Sequence, residues 1–459
     1  MSVHGPLGAT DTGAVRIRTR AVGERVPALR DRAGTVGIAG LLVTTLLIAL
    51  AAARTDSLLP ESVRPVPHWL AGPFGTSGFD LGNGGLILVL TAMFGSYVLA
   101  ARAAERLSAR TVLMCIAAMY ALVLLAPPLL STDVFSYQFY GRMGSVYGAN
   151  PYLAGPHALA LDPLFPYIGA KWSYTPTVYG PLFTALSYVL APLSIAASAL
   201  AYKAIAAFAS VGTIALLWNA ARLRGIDPIR AVALVGLNPL IVVYGVGGAH
   251  NDLLMMLFVV AGIYFLLAHR DRSAGAAMVT AAVVKVTGGL MLPFALASGG
   301  PGRGRDRRRD ILIGAGVALS ATATLAIVLF GLGPLHLFGT IQKVQSEGDW
   351  HSIPGFIGTK LGLGTIAHVV GWLLATVFAG VFVWLIRRVW RGELDWIDAA
   401  GWTAVTLLLT ASSLLPWYVA WLIPLAALAT DRRLWRAAIV MTGVVQAIQL
   451  LGYIPHVGL

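Results

Sequence analysis

The chain has almost no cysteine and little charge for its length. Its one cysteine in 459 residues is Cys115, inside an apolar run, which excludes a disulfide framework and a cysteine metal site. Only 12% of the residues are charged, whereas soluble domains carry about 25%. No Walker loop, dinucleotide fingerprint or nucleophile-elbow motif is present. These absences exclude an ordinary soluble enzyme and indicate a membrane protein.

Apolar sequence dominates the chain. Hydrophobic residues make up 57% of it, and the mean hydropathy is +0.76. Because a membrane-spanning helix needs about 20 mostly apolar residues, we predict an all-α polytopic membrane protein with about eleven full spans. The predicted spans are residues 34–53, 84–103, 111–129, 200–222, 229–248, 252–269, 311–330, 366–387, 396–414, 416–430 and 433–452.

Two further apolar segments do not fit as simple spans. Residues 182–198 are predicted to lie along the outer leaflet or dip into it. Residues 274–298 begin and end near basic clusters, so we predict a broken or re-entrant pair of helices hinged near Lys285 and Gly288-Gly289. Because non-helical backbone at membrane depth is tolerated where it lines a cavity, a cavity wall is expected near Lys285.

The formal charge of +13 comes from short basic clusters between the apolar runs. This placement follows the positive-inside rule rather than a nucleic-acid footprint, so no nucleic-acid partner is expected. It predicts a basic cytoplasmic tail over residues 1–32 and one transmembrane domain over residues 33–459, with many passes through the plasma membrane. Two loops, residues 130–181 and 331–364, then face the outer side. The first apolar run lacks a cleavage motif and is predicted to remain as an anchor.

The first outer loop, residues 130–181, is the longest polar interruption of the apolar sequence. It is too rich in aromatics to be disordered, and we predict that it carries short amphipathic helices and the catalytic residue. Asp133 directly follows an apolar helix, where a partly dry environment suits a carboxylate that acts as a general base. An N-cap role for the acid in Ser131-Thr132-Asp133 is the alternative, and the two roles are compatible.

Aromatic and amide side chains recur in the first outer loop, and this chemistry suits a sugar ligand. A sugar ring stacks its C–H face on aromatic rings, and its hydroxyls need donors and acceptors; an interfacial aromatic belt is the alternative explanation. The loop residues with this chemistry are Tyr137, Asn150, Tyr152 and Tyr179, and Trp417 and Tyr418 share it near a later span.

A turn of two glycines precedes the three polar residues His250, Asn251 and Asp252. Such a turn presents its side chains to a cavity or caps the next helix. One histidine and one aspartate lack the further ligands of a metal site, so no metal is expected.

Two cations are candidates for binding a phosphate. Lys285 lies deep in an apolar stretch, where a cation is costly and by default functional, although snorkelling to the inner surface is the alternative. An ammonium suits a phosphate leaving group as a point charge. Arg142 follows Asp133 by nine positions. On the outer face, a lipid phosphate is a more natural source of activated sugar than a nucleotide.

Several of these segments together resemble a known family. They are STDVFSYQFYGRM, GANPY, YTPTVYGPLF, LNPL followed by GGAHND, and LPWYVAWLIPL. In them the chain resembles the polyprenyl-phosphomannose-dependent α-(1→6)-mannopyranosyltransferases, integral membrane enzymes of the GT-C superfamily, over about residues 84 to 452. Two places depart from the family pattern: Phe135 with Gln138-Phe139-Tyr140, and the second outer loop. These departures leave the acceptor open.

The resemblance implies a GT-C fold and an inverting transfer that needs no metal or cofactor. Mannose would move from a polyprenyl phosphate to a mannan glycolipid, extending the α-(1→6) backbone of lipomannan and lipoarabinomannan. The implied general base is Asp133, with the polyprenyl tail in a groove beside residues 274–298. The implied phosphate and donor residues are Arg142, His250 and Lys285, and the implied sugar-binding residues include Asn251 and Asp252.

Two other functions remain open from the sequence. A related GT-C transferase would use a lipid-phosphate arabinofuranose or glucose. A flippase or transporter of lipid-linked saccharides would move its substrate without forming a glycosidic bond, and it would be expected to show paired repeats. The oligomeric state is not indicated.

Overall fold

A computed structural model describes residues 27–75, 78–300 and 305–454. Within these ranges the regular structure is helical, without strands. The α-helices are α1 (Pro27–Ala51), α2 (Gly82–Ala103), α3 (Ala109–Leu125), α4 (Asp133–Ser145), α5 (Pro181–Leu190), α6 (Ile195–Leu223), α7 (Pro228–Gly236), α8 (Asp252–Leu267), α9 (Asp271–Val284), α10 (Met291–Ala297), α11 (Arg305–Phe330), α12 (Leu337–Glu347), α13 (Ile353–Thr359), α14 (Gly364–Trp390), α15 (Trp396–Thr410), α16 (Ile423–Leu428) and α17 (Arg432–Leu451). Of the predicted basic tail, residues 1–26 lie outside the described residues.

Apolar helices of membrane length confirm a polytopic helical membrane protein. Among the described residues, α1, α2, α6, α11, α14 and α17 are long and apolar enough to cross a bilayer. A bent pair, α7 with the π-helix Leu240–Val246, makes a seventh candidate. The predicted spans at α3, α8 and α15 form helices of only 17, 16 and 15 residues, shorter than a bilayer core at about 1.5 Å per residue. The eleven full spans are therefore not confirmed.

Proline accounts for two places where a predicted span is interrupted. The span predicted at residues 229–248 bends by 51° before the π-helix, because Pro239 cannot donate to the helix ladder. The Asn238 Oδ1 accepts from the freed backbone N–H groups of Leu240 and Ile241, at 3.0 and 3.3 Å. The span predicted at residues 416–430 is instead a 3₁₀ helix, Pro416–Trp421, followed by α16.

The break predicted within residues 274–298 is confirmed. Helix α9 ends at Val284, Lys285 has extended backbone at φ −153° and ψ 130°, and a 3₁₀ helix, Val286–Leu290, leads into α10. Gly288 lets this 3₁₀ helix return against α9, since a Cβ there would lie 2.7 Å from the Ala281 backbone. Lys285 therefore stands at the break itself.

The long loop at residues 130–181 is ordered by α4 and by three 3₁₀ helices, Pro156–Leu159, Phe165–Tyr167 and Ala170–Trp172. Backbone hydrogen bonds tie both of its ends to the helical bundle. Leu129 N–H donates to Gly247 O, and Leu130 N–H donates to Leu58 O. At the far end Gly180 N–H donates to Val284 O, in an approach so close that a Cβ would meet Val283 O at 2.2 Å. The start and the end of the loop thus meet the 247–252 turn and the Lys285 break.

Candidate active site

A cavity of about 540 Å³ opens where these breaks and loop ends converge. Its wall is built by the segment after α1, the start of α4, the end of the 130–181 loop, the helix break after α9, part of α12 and the 415–421 segment. Asp133 and Lys285 both line it, so the cavity wall predicted near Lys285 is present. Two residues separated by more than 150 positions therefore face one space.

Asp133 is the first residue of α4, and its carboxylate is available to the cavity rather than used as a cap. The N-cap position is Thr132, which makes no side-chain capping bond, and the backbone N–H of Asp133 donates to Ser131 Oγ at 3.1 Å. The Asp133 side chain is 16% exposed. The N-cap role that the sequence left open is therefore not the one that the carboxylate performs.

His250 lies next to Asp133, and the distance between the two side chains is longer than that of a strong hydrogen bond. Its Nδ1 is 3.4 Å from Asp133 Oδ2, and its fully buried ring stacks on Trp417 with 3.5 Å between ring centroids. The hydroxyl of Tyr137 lies 3.5 Å from the same carboxylate oxygen. Stacking fixes the imidazole plane, so His250 is oriented toward Asp133 without saturating its lone pairs.

The environment keeps Asp133 ionised. Burial by itself would raise the pKa of this carboxyl, but the contact with His250, the charge of Lys285 and the Tyr179 hydroxyl outweigh it and lower the pKa below its ordinary value of 3.8. A carboxylate that is unprotonated at neutral pH is the form in which a general base acts.

Lys285, which lines the cavity, forms an ion pair with Asp252. The Lys285 Nζ is 2.8 Å from both carboxylate oxygens of Asp252, whose side chain is fully buried. The indole N–H of Trp421 also donates to Asp252, at 2.6 Å. The Lys285 ammonium lies 5.1 Å from the centre of the Tyr418 ring. Lys285 is therefore paired inside the protein, not directed along the membrane toward the inner surface.

The remaining sugar-binding candidates separate into wall residues and supporting residues. Tyr179, Trp417 and Tyr418 line the cavity, whereas Tyr137 is buried beneath Asp133. The Asn251 side chain is also buried, and neither of its polar atoms has a hydrogen-bond partner among the described residues.

Besides Tyr137, His250, Asn251 and Asp252, which are buried, three more predicted residues do not line this cavity. Arg142 pairs with Asp162 at 2.7 Å and borders a separate cavity of about 140 Å³. The Asn150 amide donates to the Phe330 carbonyl, and the buried Tyr152 hydroxyl donates to the Tyr179 carbonyl at 3.0 Å. Asn150 and Tyr152 therefore brace the loop, and the structure does not bring Arg142 to Asp133.

Sequence reasoning missed several charged residues of the cavity wall. They are Glu61, Arg64, Lys171 and Asp349. Arg64 belongs to the connection between α1 and α2, which carried no motif. A signal was available in the positive-inside rule, which expects few cations on the outer side. Lys171 lies in a predicted outer loop, and Arg64 follows the first predicted span, which starts from the cytoplasmic tail and so ends on the outer side.

Among the described residues, no group of three or more His, Cys, Asp or Glu side chains is placed to hold a metal ion. Three carboxylates at the cavity instead each pair with a basic side chain: Asp133 with His250, Asp252 with Lys285 and Asp349 with His351. Such a wall offers ionised carboxylates, Asp133 and Asp349, and several cations to a sugar with an anionic leaving group.

Comparisons with known proteins agree with this chemistry. A family profile described as the N-terminal domain of α-(1→6)-mannopyranosyltransferase matches residues 32–298, and one described as the MptB C-terminal domain matches residues 351–452. No solved structure matches the chain.

Curated relatives of the chain carry the same name. It is 28% identical to an α-(1→6)-mannopyranosyltransferase of Mycobacterium tuberculosis over 401 residues, covering 70% of this chain and 66% of the relative. It is 28% identical to α-(1→6)-mannopyranosyltransferase A of the same organism over 438 residues, covering 87% and 80%. With α-(1→6)-mannopyranosyltransferase B of Corynebacterium glutamicum it shares 27% identity, covering 67% and 57%. The chain thus spans just under two thirds of the first relative's length.

Proposed function

We propose, from the premise that this chain belongs to the α-(1→6)-mannopyranosyltransferase family, that it is a membrane mannosyltransferase. It moves mannose from a polyprenyl-phosphate donor to a mannan glycolipid and forms an α-(1→6) linkage of the lipomannan and lipoarabinomannan backbone. The observation that carries this proposal is the Asp133 carboxylate, ionised and loosely held at the wall of a cavity that also contains cations and aromatic rings.

The proposal includes the fold, the number of membrane passes and the orientation of the chain in the membrane. The chain adopts a GT-C fold with about eleven membrane passes, the shorter helices crossing in thinner or water-lined regions of the protein. The N-terminus is cytoplasmic, residues 33–459 form the transmembrane domain, and the cavity opens at the outer face of the plasma membrane. The basic clusters between the apolar runs support this orientation.

The transfer is a single displacement with inversion at the anomeric carbon. Asp133 removes the proton from the acceptor hydroxyl as its oxygen attacks that carbon. The bond from the anomeric carbon to the phosphate oxygen breaks, and the phosphate leaves with the electron pair. A phosphate is a good leaving group and needs no general acid. A second carboxylate nucleophile, which retaining enzymes use, is not required.

The cavity walls suit the two parts of the donor. Tyr179, Trp417 and Tyr418 offer rings to the mannose. A second cavity of about 670 Å³ shares Ile341 and Gln345 with the first and continues along α12 to α15. We assign the polyprenyl tail to this second cavity, because the separate cavity lined by Gly288, Leu290 and Met291 has a volume of only about 40 Å³.

The test is a transfer assay on the purified protein in lipid nanodiscs. Synthetic polyprenyl phosphomannose and a short α-mannoside acceptor should yield a product whose new linkage is α-(1→6) by NMR. Parallel reactions contain the arabinofuranose and glucose lipid phosphates. Preference for one of those donors would replace mannose in the proposal, and movement of lipid-linked saccharide across proteoliposomes without a new glycosidic bond would replace the transferase itself.

A further inference from the structure

Three cationic side chains of the described residues line the cavity beside Asp133: Arg64, Lys171 and Lys285. They differ in how far their charge is already compensated. Lys285 has both oxygens of Asp252 at 2.8 Å. No carboxylate of the described residues lies within ion-pair distance of Arg64 or Lys171. Two positive charges without an ion-pair partner therefore face the space that Asp133 also faces, although Lys171 helps to lower the pKa of the Asp349 carboxyl in the same wall.

Arg64 is held by the backbone of its own segment. Its Nε and Nη2 donate to the Leu59 carbonyl at 3.2 and 2.9 Å. The segment is in turn docked on the 130–181 loop, since Leu130 N–H donates to Leu58 O and Ser62 Oγ donates to Tyr167 O. The guanidinium is thus positioned relative to Asp133 by neutral partners, and its Nη1 remains for a ligand.

Lys171 approaches the cavity from the opposite segment. It lies in the 3₁₀ helix Ala170–Trp172, with its ammonium 5.5 Å from the centre of the Trp172 ring. Both residues line the cavity, and the Lys171 side chain is exposed. An indole ring orients an ammonium without neutralising it, so this charge also remains available to an anion.

We propose that Arg64 and Lys171 bind the phosphate of the lipid-linked donor, and that Lys285 with Asp252 is a positioning pair. This assignment rests on the proposed function. The arginine fork matches phosphate oxygens, and the lysine adds a point charge. When the bond to the anomeric carbon breaks, the phosphate gains one negative charge and the acceptor proton passes to Asp133. Arg64 and Lys171 then stabilise the added charge where it develops.

The experiment measures binding of farnesyl phosphate to the purified full-length protein, with farnesol and inorganic phosphate as the other probes. Arg64→Gln and Lys171→Gln should each weaken farnesyl phosphate binding by about tenfold or more, because a charge-assisted hydrogen bond is lost. Farnesol, which has no phosphate, should bind all variants alike. Arg64→Lys and Lys171→Arg should recover part of the lost affinity. A site for free phosphate would instead bind inorganic phosphate as tightly as farnesyl phosphate.

Matched controls are Arg54→Gln, in the same connection as Arg64, and Lys343→Gln on α12, since neither residue lines the cavity. Thermal unfolding of every variant verifies that it is folded. Unchanged farnesyl phosphate affinity in folded Arg64→Gln and Lys171→Gln would overturn the assignment, as would an equal loss for farnesol. If the wild-type protein transfers mannose while these variants keep their donor KM, the phosphate assignment fails and the proposed function stands. If Arg64 is needed for farnesyl phosphate binding but the wild-type protein transfers no sugar, the phosphate assignment stands and the proposed function fails.

Discussion

Helix α4 presents Asp133 to one cavity and Arg142 to another. Asp133 has His250 at 3.4 Å and the Tyr137 hydroxyl at 3.5 Å, and the Tyr179 hydroxyl is a further polar neighbour. Asp162, the partner of Arg142, receives far shorter bonds: 2.7 and 2.9 Å from the guanidinium, 2.7 Å from the Tyr147 hydroxyl and 2.8 Å from a backbone N–H. The second carboxylate is saturated, and the first keeps its lone pairs for the cavity.

The difference separates a reactive acid from a structural one. A general base must be ionised and must also be free to accept a proton. Both Asp133 and Asp162 have a lowered pKa, so ionisation alone does not distinguish them. What distinguishes them is the number and length of their bonds, together with a cavity of about 540 Å³ against one of about 140 Å³.

The largest expected effect is on catalysis. Asp133→Asn should lower the mannosyl transfer rate by about 10²–10⁴-fold, because the amide cannot take the acceptor proton. Its melting temperature should stay close to that of the wild type, since the contacts it loses are long. The measurement is initial rate at saturating donor, paired with thermal unfolding. Near-normal transfer by a folded Asp133→Asn protein would remove Asp133 as the base.

Breaking the buried ion pair of the same cavity should act first on stability. Lys285→Met leaves the Asp252 carboxylate buried without its cation, at a cost of about 3–5 kcal/mol in the free energy of unfolding. The double variant Lys285→Met with Asp252→Asn should recover most of that loss, because no unpaired charge then remains. Thermal unfolding of the single and double variants measures the coupling, and additive losses would contradict a pair that acts as a unit.

The corresponding change in the small cavity should be milder and should spare catalysis. Asp162→Asn removes the partner of Arg142, which is 25% exposed. Because water can partly replace the lost bonds, the expected destabilisation is about 1–3 kcal/mol. Transfer activity per folded molecule should persist. A large loss of transfer activity in folded Asp162→Asn protein would contradict the assignment of Asp162 as a structural residue.

The smallest expected effect is on pH dependence. Burial raises the pKa of Asp162, but Arg142, Tyr147 and the Leu164 backbone N–H together lower the pKa by more than burial raises it. The pKa of Asp162 is therefore below its ordinary value. A carboxyl whose folded pKa lies below its unfolded value stabilises the protein above that unfolded value, about 3.9, and loses this contribution as the pH falls through the folded pKa. The melting temperature should therefore not fall between pH 7 and 5 through loss of the Arg142–Asp162 pair. The steeper fall below about pH 4 should be reduced in Asp162→Asn.

The same logic applies to activity through Asp133. Its lowered pKa predicts that transfer does not decline from pH 7 to 5 through protonation of this base. A pH–rate profile for kcat/KM with an acid limb caused by Asp133 above pH 5 would contradict the geometry around that carboxylate.

Part of this arrangement was predictable from local sequence. Asp133 follows an apolar helix, and Lys285 interrupts an apolar stretch before two glycines, so both stood out, and the break at Lys285 was confirmed. The separation of Arg142 from Asp133 also had a local cause. Nine residues make about two and a half helical turns, which places the two side chains on opposite faces of one helix. Applying that period to α4 would have removed Arg142 from the candidate site.

Other features had no local signal. Arg64 belongs to a connection without a motif, and it reaches the cavity because Leu58 and Ser62 bond to a loop about 70 to 105 positions away in the chain. The proline breaks at residues 238–239 and 416–424 were hidden inside apolar runs, so hydropathy alone predicted straight spans there. The hydropathy of a segment is an average over its residues and does not change much with one proline. A helix, however, is interrupted where a single proline cannot donate its backbone hydrogen bond.

By itself the sequence determined the class of the protein, because helices of membrane length and clusters of basic residues follow from the cost of placing polar groups in lipid. It also singled out Asp133 as the acid at the start of the long loop. Only the tertiary structure decided which charges are already compensated. Lys285 pairs with Asp252 and Arg142 with Asp162, whereas Arg64 and Lys171 form no ion pair with a carboxylate of the described residues. Charge compensation depends on distances of a few ångströms between segments far apart in the chain, and no local pattern encodes those distances.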